Sequence, residues 1–383
     1  MSINAILIAM LIGIEASRAN RLQKTGVEWY AYHVIQQMKA DPEAAKHSWL
    51  LYGNEPLSMG LEKGPNNWHE RSLFWPPKYL WTQLRLSWEM VRRPPEVLFV
   101  PAHVLPRFAP KRSVVTVHDV GFHRFPELYT PAQKSYHEWS TKDIVKRGAR
   151  IITVSEFCKR EIMECYGASS EQVFVTHLGV EHDRYQPQSP EKIQAVLEQY
   201  RIPTPYILFV GRLDEKKNIL TLIEAFRRFK EARGQGDPLH LVLAGRPANG
   251  ADRIMQAVAA SGHADQISVL GYISETHKPM LMSGALAYIQ PSFYEGFGLP
   301  PLEAMACGCP VISSNTTSLP EVLGERTALY FDPKDPESLE SCITRVVDEE
   351  PLRNELRNRG LAWAPQFSWP KTARQTIEAL VSW

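Results

Sequence analysis

Two carboxylates in one short, glycine-containing segment are the clearest candidates for chemistry in this chain. Glu295 and Glu303, with seven residues between them, flank a loop that contains Gly296 and Gly298. Glycines let backbone N–H groups approach a ligand, and the amino end of a following helix favours an anion such as phosphate. Buried acids need donors, which the hydroxyls of a sugar supply. The pattern predicts a phosphate site between two hydroxyl-binding carboxylates.

A short helix is predicted directly after this loop. Pro301 suits its first position, and the helix is expected to end near Cys307, with Glu303 in the first turn. Glu295 is expected to be exposed in the loop. A simpler interpretation stays open, in which Glu303 only complements the helix dipole and Glu295 is a surface acid.

A second candidate cluster is cationic. The segment "RLDEKKN" follows the apolar run "YILFVG" and contains Arg212 and Lys217. Both could bind the same anion, Arg212 through two donors of its planar guanidinium and Lys217 through its compact ammonium charge. The alternative is a solvated charged loop, and Lys216 is its most natural member. No GxGxxG follows the early apolar runs and no P-loop is present, which disfavours a nicotinamide dehydrogenase and a P-loop nucleotidase.

Length and composition limit the class of protein. With 383 residues, 44% hydrophobic and 22% charged, the chain suits two globular domains. The formal net charge of +1 gives no reason to expect a nucleic-acid partner. Five cysteines form no paired framework and no zinc motif, which favours a reducing, cytoplasmic setting and predicts no metal site.

Short apolar runs alternate with amphipathic stretches along both halves, which predicts parallel sheets covered by helices. In the first half the predicted strands are "AMLIGI", "HSWLLYG", "EVLFVPA", "SVVTVHD", "RIITVSE" and "VFVTHLG". In the second half they are "YILFVGR", "HLVLAGR", "ISVLGY", "LAYIQPS", "PVISSN" and "ALYFD". If Met10 is the natural start, residues 1–9 are expected to be an extension with little structural role.

Polar residues follow several predicted strands, where ligands bind in open α/β sheets. The residues at these strand ends are His118, Asp119, Ser155, Gly211, Arg212, Gly245, Arg246, Ser292 and Glu295. This clustering predicts that groups from both halves surround one cleft.

Four segments together resemble the retaining glycosyltransferase family 4. They are "VGRLDEKKN", "PSFYEGFGLPPLEAMACGCPVI", "VHDVGFHRFPE" and "ITVSEFCKREI", and the resemblance runs from "KTGVEWYAYHVI" to the final helix. It implies the GT-B fold, an α/β architecture of two Rossmann-like doubly wound domains that face a central cleft. The expected acceptor domain covers 1–190 with the return of a helix over about 366–383, and the expected donor domain covers 200–365. The sequence itself predicts the break, or linker, between the two halves within "EHDRYQPQSPEKIQAVLEQYRIPTP", where polar residues and prolines cluster.

The same resemblance implies the reaction. A hexose would move from a nucleotide diphosphate sugar, GDP- or UDP-linked, to a hydroxyl of a glycan or polyprenyl-linked acceptor, with retained configuration and neither metal nor cofactor. GDP-mannose is the first choice because the family often uses it. The chain has no D-x-D motif, which agrees with a metal-independent hexosyltransferase of polysaccharide biosynthesis.

The resemblance assigns catalytic roles to four residues. Arg212 and Lys217 would neutralise the diphosphate as it leaves, and Glu295 would hold hydroxyls of the donor sugar. His118 matches a family histidine near the reacting centre. Retention is explained in the family by attack on the same face as the leaving group, so leaving-group stabilisation carries most of the rate.

Further residues are assigned to the donor by position. They are Gly26, Gly211, Tyr272, Gly296, Phe297, Gly298, Leu299 and Glu303. Glu303 would bind the ribose diol and Tyr272 would lie near the base. Gly26 matches a loop where relatives carry a glycine pair, whereas this chain has "TGVE".

One segment of the expected acceptor domain has two interpretations. Residues 68–93 interleave Trp75, Trp81 and Trp88 with arginines, which suits either an interface with anionic lipid or a helix packed on its own domain. The first interpretation would place a cytoplasmic enzyme peripherally at the inner face of the plasma membrane.

Three alternatives to a transferase stay open. A nucleotide-sugar epimerase and a phosphorylase share the fold, although no lysine motif indicates the pyridoxal cofactor of the latter. A non-catalytic scaffold that binds sugar nucleotides is a different class. A scaffold of this kind would be free to lose the residues expected to bind the donor. All four are present, namely Arg212, Lys217, Glu295 and Glu303, which argues against it.

Overall fold

The computed structural model describes residues 9–77, 79–234 and 236–383. The chain divides into two compact units. The first extends to Gly179 and takes in Trp369–Trp383, and the second runs Val180–Ser368. Residues 1–8 of the predicted amino-terminal extension lie outside the described residues.

A parallel sheet forms the centre of the first unit. Its strands are β1 Leu11–Glu15, β2 Ser48–Gly53, β3 Trp68–Ser72, β4 Val97–Val100, β5 Ser113–Thr116, β6 Arg150–Thr153 and β7 Val173–Val175. Their spatial order is β3-β2-β1-β4-β5-β6-β7. The order reverses direction between β1 and β4, which is the arrangement of a Rossmann-like sheet.

Helices of the first unit pack on both faces of this sheet. They are α1 Gly26–Ala40, α2 Ser87–Arg92, α3 Gly121–Arg124, α4 Pro131–Lys146, α5 Glu156–Tyr166 and the last helix of the chain, Trp369–Val381. Neighbouring strand residues point to opposite faces, so Trp49 and Leu51 enter one buried core while Leu50 and Tyr52 enter another. The continuous apolar runs of the sequence follow from this two-sided burial.

The second unit repeats the same topology. Its strands are β8 Tyr206–Val210, β9 His240–Ala244, β10 Ile267–Gly271, β11 Ala287–Gln290, β12 Val311–Ser314 and β13 Leu329–Phe331. They lie in the order β10-β9-β8-β11-β12-β13 and all pair in parallel. The order reverses between β8 and β11.

The helices of the second unit connect these strands. They are α6 Pro190–Tyr200, α7 Ile219–Arg233, α8 Ala251–Ala260, α9 Lys278–Gly284, α10 Leu299–Ala306, α11 Leu319–Leu323, α12 Pro336–Asp348 and α13 Glu350–Trp363; the chain's last helix is therefore α14. Helix α7 buries Ile223, Phe226 and Phe229 at helical spacing and ends at Gly234, whose φ is 81°.

The boundary between the units lies earlier than the predicted position at residue 190. The segment after Gly179 contains α6, which packs on α9 of the second unit. Tyr200 hydrogen-bonds His277 Nδ1 at 2.9 Å, and Gln188 N donates to Ser283 Oγ at 3.2 Å. These contacts make the proline-rich stretch part of the second unit, where the sequence suggested a linker.

No helix in the described part of the chain has the length and apolar character that crossing a bilayer requires.

Candidate active site

The reversal of strand order in the second sheet places two loops side by side. They follow the carboxyl ends of β8 and β11, the neighbouring strands at the reversal point. Asn218 fixes one loop to the other, because its Nδ2 donates to Pro291 O at 3.0 Å and to Pro333 O at 2.7 Å. Phe293 N also donates to Lys216 O at 3.1 Å. This is the position at which open α/β sheets bind ligands.

Lys217 and Glu295 meet directly between these loops. Lys217 Nζ lies 2.6 Å from Glu295 Oε1. Ser292 Oγ donates to the same oxygen at 2.6 Å and Gln290 Nε2 at 2.8 Å. Three donors therefore converge on Oε1 and fix the orientation of the carboxylate, so Oε2 is the oxygen placed to accept from a ligand.

Glu295 is a buried, charged acid. Its side chain is 11% exposed, so the expectation of an exposed loop acid is wrong. Burial by itself raises the pKa of Glu295, but the charges of Lys217 and Lys216 outweigh it and hold the pKa below the ordinary value. The carboxylate is therefore ionised at neutral pH. Lys216, the expected solvated member of its loop, lies over the ring of Tyr294 at 4.9 Å from the centroid.

The glycine-containing loop ends where α10 begins. Gly298 has a φ of 97°, and an added Cβ would lie 2.5 Å from Leu319 Cδ2, so the position requires glycine. The helix begins at Leu299, two residues before the predicted start at Pro301, because both prolines fit within its first turn. The early start leaves Glu303 beyond the first turn, which corrects its predicted position.

Hydroxyl groups of the next loop fix the backbone before α10. Ser318 Oγ donates to Glu295 O at 2.9 Å and to Phe297 O at 3.1 Å. Glu295 N donates to Thr317 Oγ1 at 3.2 Å, and Thr317 has a φ of 59°. A β-branched residue in this region is strained, which is common where a loop is preorganised for binding.

Glu303 is buried in the second unit and lies among groups of both charges. Burial raises the pKa of Glu303 to about 7; Lys278 lowers it, Glu275 and Glu181 raise it, and a hydrogen bond from Tyr185 lowers it. Tyr185 comes from the stretch that the sequence suggested as a linker. Near neutral pH a carboxyl with this pKa is a mixture of acid and carboxylate.

This shift predicts a pH dependence of stability. The pKa of Glu303 in the folded protein exceeds its ordinary value of 4.5, so between pH 4.5 and about 7 the folded state holds a proton that the unfolded chain has lost. The contribution of Glu303 to the free energy of unfolding therefore falls as pH rises through this range, by on the order of 3 kcal/mol.

Urea unfolding of wild-type protein and Glu303→Gln at about pH 5 and about pH 8 measures this difference. The wild-type protein should lose more stability than the variant on going to the higher pH. Equal losses would contradict the raised pKa.

Arg212 lies in the same loop as Lys217 but has a different environment. Its side chain is 70% exposed and approaches Asp214 Oδ2 at 3.7 Å. The structure therefore brings Lys217 and Glu295 together, while the Arg212 side chain extends into solvent beside an acid. Arginine in such a weak contact keeps freedom to turn towards an anion.

Backbone hydrogen bonds between neighbouring strands continue just beyond the ends of β8 and β9. Gly211 N donates to Ala244 O at 2.9 Å and Gly245 N donates to Gly271 O at 2.7 Å. At this edge the ring of Tyr272, 58% exposed, lies 4.6 Å from the guanidinium of Arg246. Tyr272 therefore presents an aromatic face paired with a cation at the carboxyl edge of the sheet.

His118 lies at the carboxyl edge of the first sheet, after β5. Its ring contacts Tyr30 edge-on at 4.6 Å, and its Nε2 lies 3.4 Å from Pro101 O. Burial lowers the pKa of His118 to about 3 and that of the neighbouring His103 to about 4. Both imidazoles are neutral at physiological pH. His103 was missed by sequence reasoning, although it follows the predicted strand "EVLFVPA".

Gly26 is the first residue of α1, after a capping box of Thr25 and Glu28. An added Cβ at Gly26 would meet no heavy atom within 4 Å, so packing among the described residues does not require glycine there. Glu28 also pairs with Arg18 at 3.2 Å and Arg21 at 3.4 Å. These two cations and their acid lie at the carboxyl end of β1 and were not predicted from the sequence.

Comparison with known proteins gives consistent results for both units. A model described as glycosyl transferases group 1 matches residues 194–363, and one described as glycosyltransferase family 4 matches residues 24–184. The O-antigen chain mannosyltransferase B of Escherichia coli is 35% identical over 270 residues, 70% of this chain and 70% of that protein.

One further relative and one solved structure extend the comparison. A serotype-specific mannosyltransferase, WbdA of Escherichia coli, is 31% identical over 61% of this chain and 29% of that protein. The solved structure of sucrose-phosphate synthase from Thermosynechococcus elongatus matches with a TM-score of 0.75 and 20% identity, covering 96% of this chain and 98% of that one. At this identity the structural likeness establishes the fold alone.

The fold and the matches define a GT-B glycosyltransferase with two Rossmann-like domains. The chain belongs to the group 1 glycosyltransferases of family 4, and the predicted resemblance and fold class are confirmed.

Proposed function

We propose that this enzyme transfers mannose from a GDP-linked donor to a hydroxyl of a glycan or polyprenyl-linked acceptor, with retention and without a metal. The observation that carries the proposal is the Lys217–Glu295 contact at 2.6 Å between the loops after β8 and β11. The choice of mannose is supported by the names of the Escherichia coli relatives, which are mannosyltransferases.

The donor diphosphate is proposed to bind Lys217 and Arg212 beside Gly211. Lys217 already neutralises Glu295, so an incoming diphosphate would share this cation, and the exposed Arg212 would turn from Asp214 to add a second positive charge. Charge that develops on the leaving diphosphate is then stabilised by preorganised cations, which is usually a large contribution to the rate.

The donor sugar is proposed to lie against Glu295, whose Oε2 would accept hydrogen bonds from its hydroxyls. The backbone from Gly296 through Leu299 would contact sugar and phosphate at the amino end of α10. Glu303 would bind the ribose diol in its ionised form, and the ring of Tyr272 would lie near the base.

The first unit is proposed to supply the acceptor site. His118 is neutral, with a pKa of about 3, so its role is a hydrogen bond rather than a positive charge. The open space around a Cβ at Gly26 would admit the acceptor or donor phosphates. A polyprenyl-linked acceptor would bring the enzyme to the inner face of the plasma membrane as a peripheral protein.

The test is the stereochemistry of the product. Purified enzyme with GDP-mannose and a water-soluble mannoside acceptor should form a product whose new anomeric centre, followed by proton NMR, has the α configuration of the donor. Activity should persist in excess chelator. A β-linked product would contradict retention, and a complete loss of activity in chelator that added Mg²⁺ or Mn²⁺ restores would contradict metal independence.

A further inference from the structure

Two exposed aromatic residues lie next to each other on helix α4 of the first unit. Tyr136 and Trp139 are three residues apart, so they share one side of the helix. Their ring centroids are 6.0 Å apart and the ring planes are inclined by 34°. The two residues are 45% and 48% exposed. They form one aromatic surface open to solvent, which we call the aromatic pair.

The other side of α4 fixes this helix on the first unit. Thr141 is fully buried, and Ser140 Oγ donates to the carbonyl oxygen of His103. The ring of His137 stacks on Phe122, with their centroids 5.2 Å apart. The helix is therefore held in place by its inner side, and the aromatic pair is presented to solvent on a rigid element.

Contacts between histidine rings connect α4 to the proposed acceptor site. The rings of His137 and His103 have centroids 5.6 Å apart, and those of His103 and His118 have centroids 5.8 Å apart. His103 and His118 follow β4 and β5, so this part of α4 lies at the carboxyl edge of the first sheet. The aromatic pair is thus close to the proposed acceptor site, with two imidazoles connecting it to His118.

A cation from the loop after β1 lies beside the aromatic pair. Burial raises the pKa of Tyr136 and the charge of Arg18 lowers it, so the guanidinium is within electrostatic range of the phenol. Arg18 is 43% exposed and shares the carboxylate of Glu28 with Arg21, at 3.2 and 3.4 Å. Two guanidinium groups have more N–H donors than one carboxylate accepts. The aromatic pair therefore has hydrogen-bond donors for a ligand nearby.

An aromatic surface beside hydrogen-bond donors suits a sugar. One face of a pyranose consists of C–H groups that pack on an aromatic ring, while its hydroxyls need polar partners. A protein partner would need a much wider apolar patch. The exposed residues near the aromatic pair on α4 are instead polar, namely Gln133, Ser135 and Lys142. The chemistry of this surface therefore favours a glycan.

We infer that Tyr136 and Trp139 bind a sugar of the acceptor glycan other than the sugar whose hydroxyl reacts. The reacting sugar would lie near His118, and the aromatic pair would hold a following sugar of the same chain. Binding energy from such a remote part of the substrate selects longer acceptors. The inference rests on the proposed function and narrows the acceptor to a glycan of at least two sugars.

The test compares acceptors of different length with the full chain. Initial rates at saturating GDP-mannose are measured with the methyl glycosides of mannose, α-linked mannobiose and α-linked mannotriose. For the wild-type protein, the KM of mannotriose should be about tenfold below that of the monosaccharide, the larger effect expected for an aromatic contact. None of these acceptors contains an aromatic or lipid group that could bind the aromatic pair by itself.

Replacing both aromatic residues should remove this preference. Tyr136→Ala combined with Trp139→Ala should raise the KM of mannotriose by about tenfold, to the value for the monosaccharide. The kcat at saturating acceptor, the KM of the monosaccharide and the KM of GDP-mannose should stay as in the wild type, because the lost contact involves only a remote sugar. Tyr136→Phe combined with Trp139→Phe keeps two aromatic faces and should retain most of the preference.

A matched control separates the aromatic pair from exposed aromatic residues in general. Phe108 is 56% exposed and lines a cavity with Ser113 and Ala149, at the amino ends of β5 and β6. Phe108→Ala should therefore leave the KM of mannotriose unchanged. Circular dichroism should show that each variant is folded. If the double alanine variant fails to fold, the comparison of acceptors with the wild-type protein still decides.

Several results would overturn the inference. They are equal KM values for all three acceptors with the wild-type protein, a folded double alanine variant that keeps the preference for mannotriose, or a wild-type dimer that this variant dissociates, which would assign the aromatic pair to a second copy of the chain. Saturation-transfer NMR detects binding of mannotriose without any reaction. Binding that depends on the aromatic pair but no mannosyl transfer would refute the proposed function only, and transfer without a length preference would refute only the inference.

Discussion

Replacing Lys217 with alanine should lower kcat by about two to three orders of magnitude, the usual effect of removing one oriented group that stabilises developing charge. Lys217 lies 2.6 Å from Glu295 Oε1, so the change removes the proposed diphosphate cation and also leaves a buried carboxylate without its partner. Initial rates at saturating donor and acceptor measure the effect.

The neighbouring lysine supplies a control. Lys216 lies over the ring of Tyr294, and Lys216→Ala should change kcat by about tenfold or less. Combining Lys217→Ala with Glu295→Gln tests whether the unpaired carboxylate causes the loss of stability, because the glutamine needs no cation. Thermal unfolding of the double variant should recover towards the wild type. Wild-type kcat in the single variant would contradict the assignment of Lys217 to the diphosphate.

Gly245→Ala should lower the free energy of unfolding by about 3 kcal/mol, near the upper range for overpacking. An added Cβ at this position would lie 1.6 Å from the carbonyl oxygen of Gly211, which is a backbone atom that no side-chain rotation can move away. The loops after β8 and β9 would have to separate, and the loop with Lys217 would shift with them. Urea unfolding measures the loss.

A second glycine of the same unit isolates the steric part of this effect. Gly262 has a φ of 74°, and an added Cβ there meets no heavy atom within 4 Å, so Gly262→Ala should lose only about 1 kcal/mol from backbone strain. The two variants would have equal stability if the close approach at Gly245 had no importance, and that result would contradict the packing described for this edge of the sheet.

The sequence predicted the buried strands well because both faces of each sheet are covered. Twelve apolar runs correspond to strands of the structure, but β3, with the sequence "WHERS", was missed. This strand lies at the edge of its sheet and has exposed polar residues, so neither an apolar run nor a clear alternation marks it. The strand β3 forms because it pairs with β2 in the folded sheet.

The candidate site could be predicted by residue type but not by environment. The spacing of Glu295 and Glu303 drew attention to the loop before α10, but it did not indicate that Ser292 and Gln290 donate hydrogen bonds to Glu295. The hydrogen bond that lowers the pKa of Glu303 comes from Tyr185, which lies in the stretch that the sequence suggested as a linker. Such contacts follow from packing, which a pattern of single residues does not contain.

The central claim is that a donor diphosphate sugar binds at the carboxyl ends of β8 and β11. Amide hydrogen exchange with and without saturating GDP-mannose tests this most directly. We predict slower exchange over residues 211–218 and 291–299 in the wild-type protein and a much smaller change in Lys217→Ala. If calorimetry detects binding of GDP-mannose but exchange in both segments is unaltered, the donor binds elsewhere, which would contradict the proposed donor site.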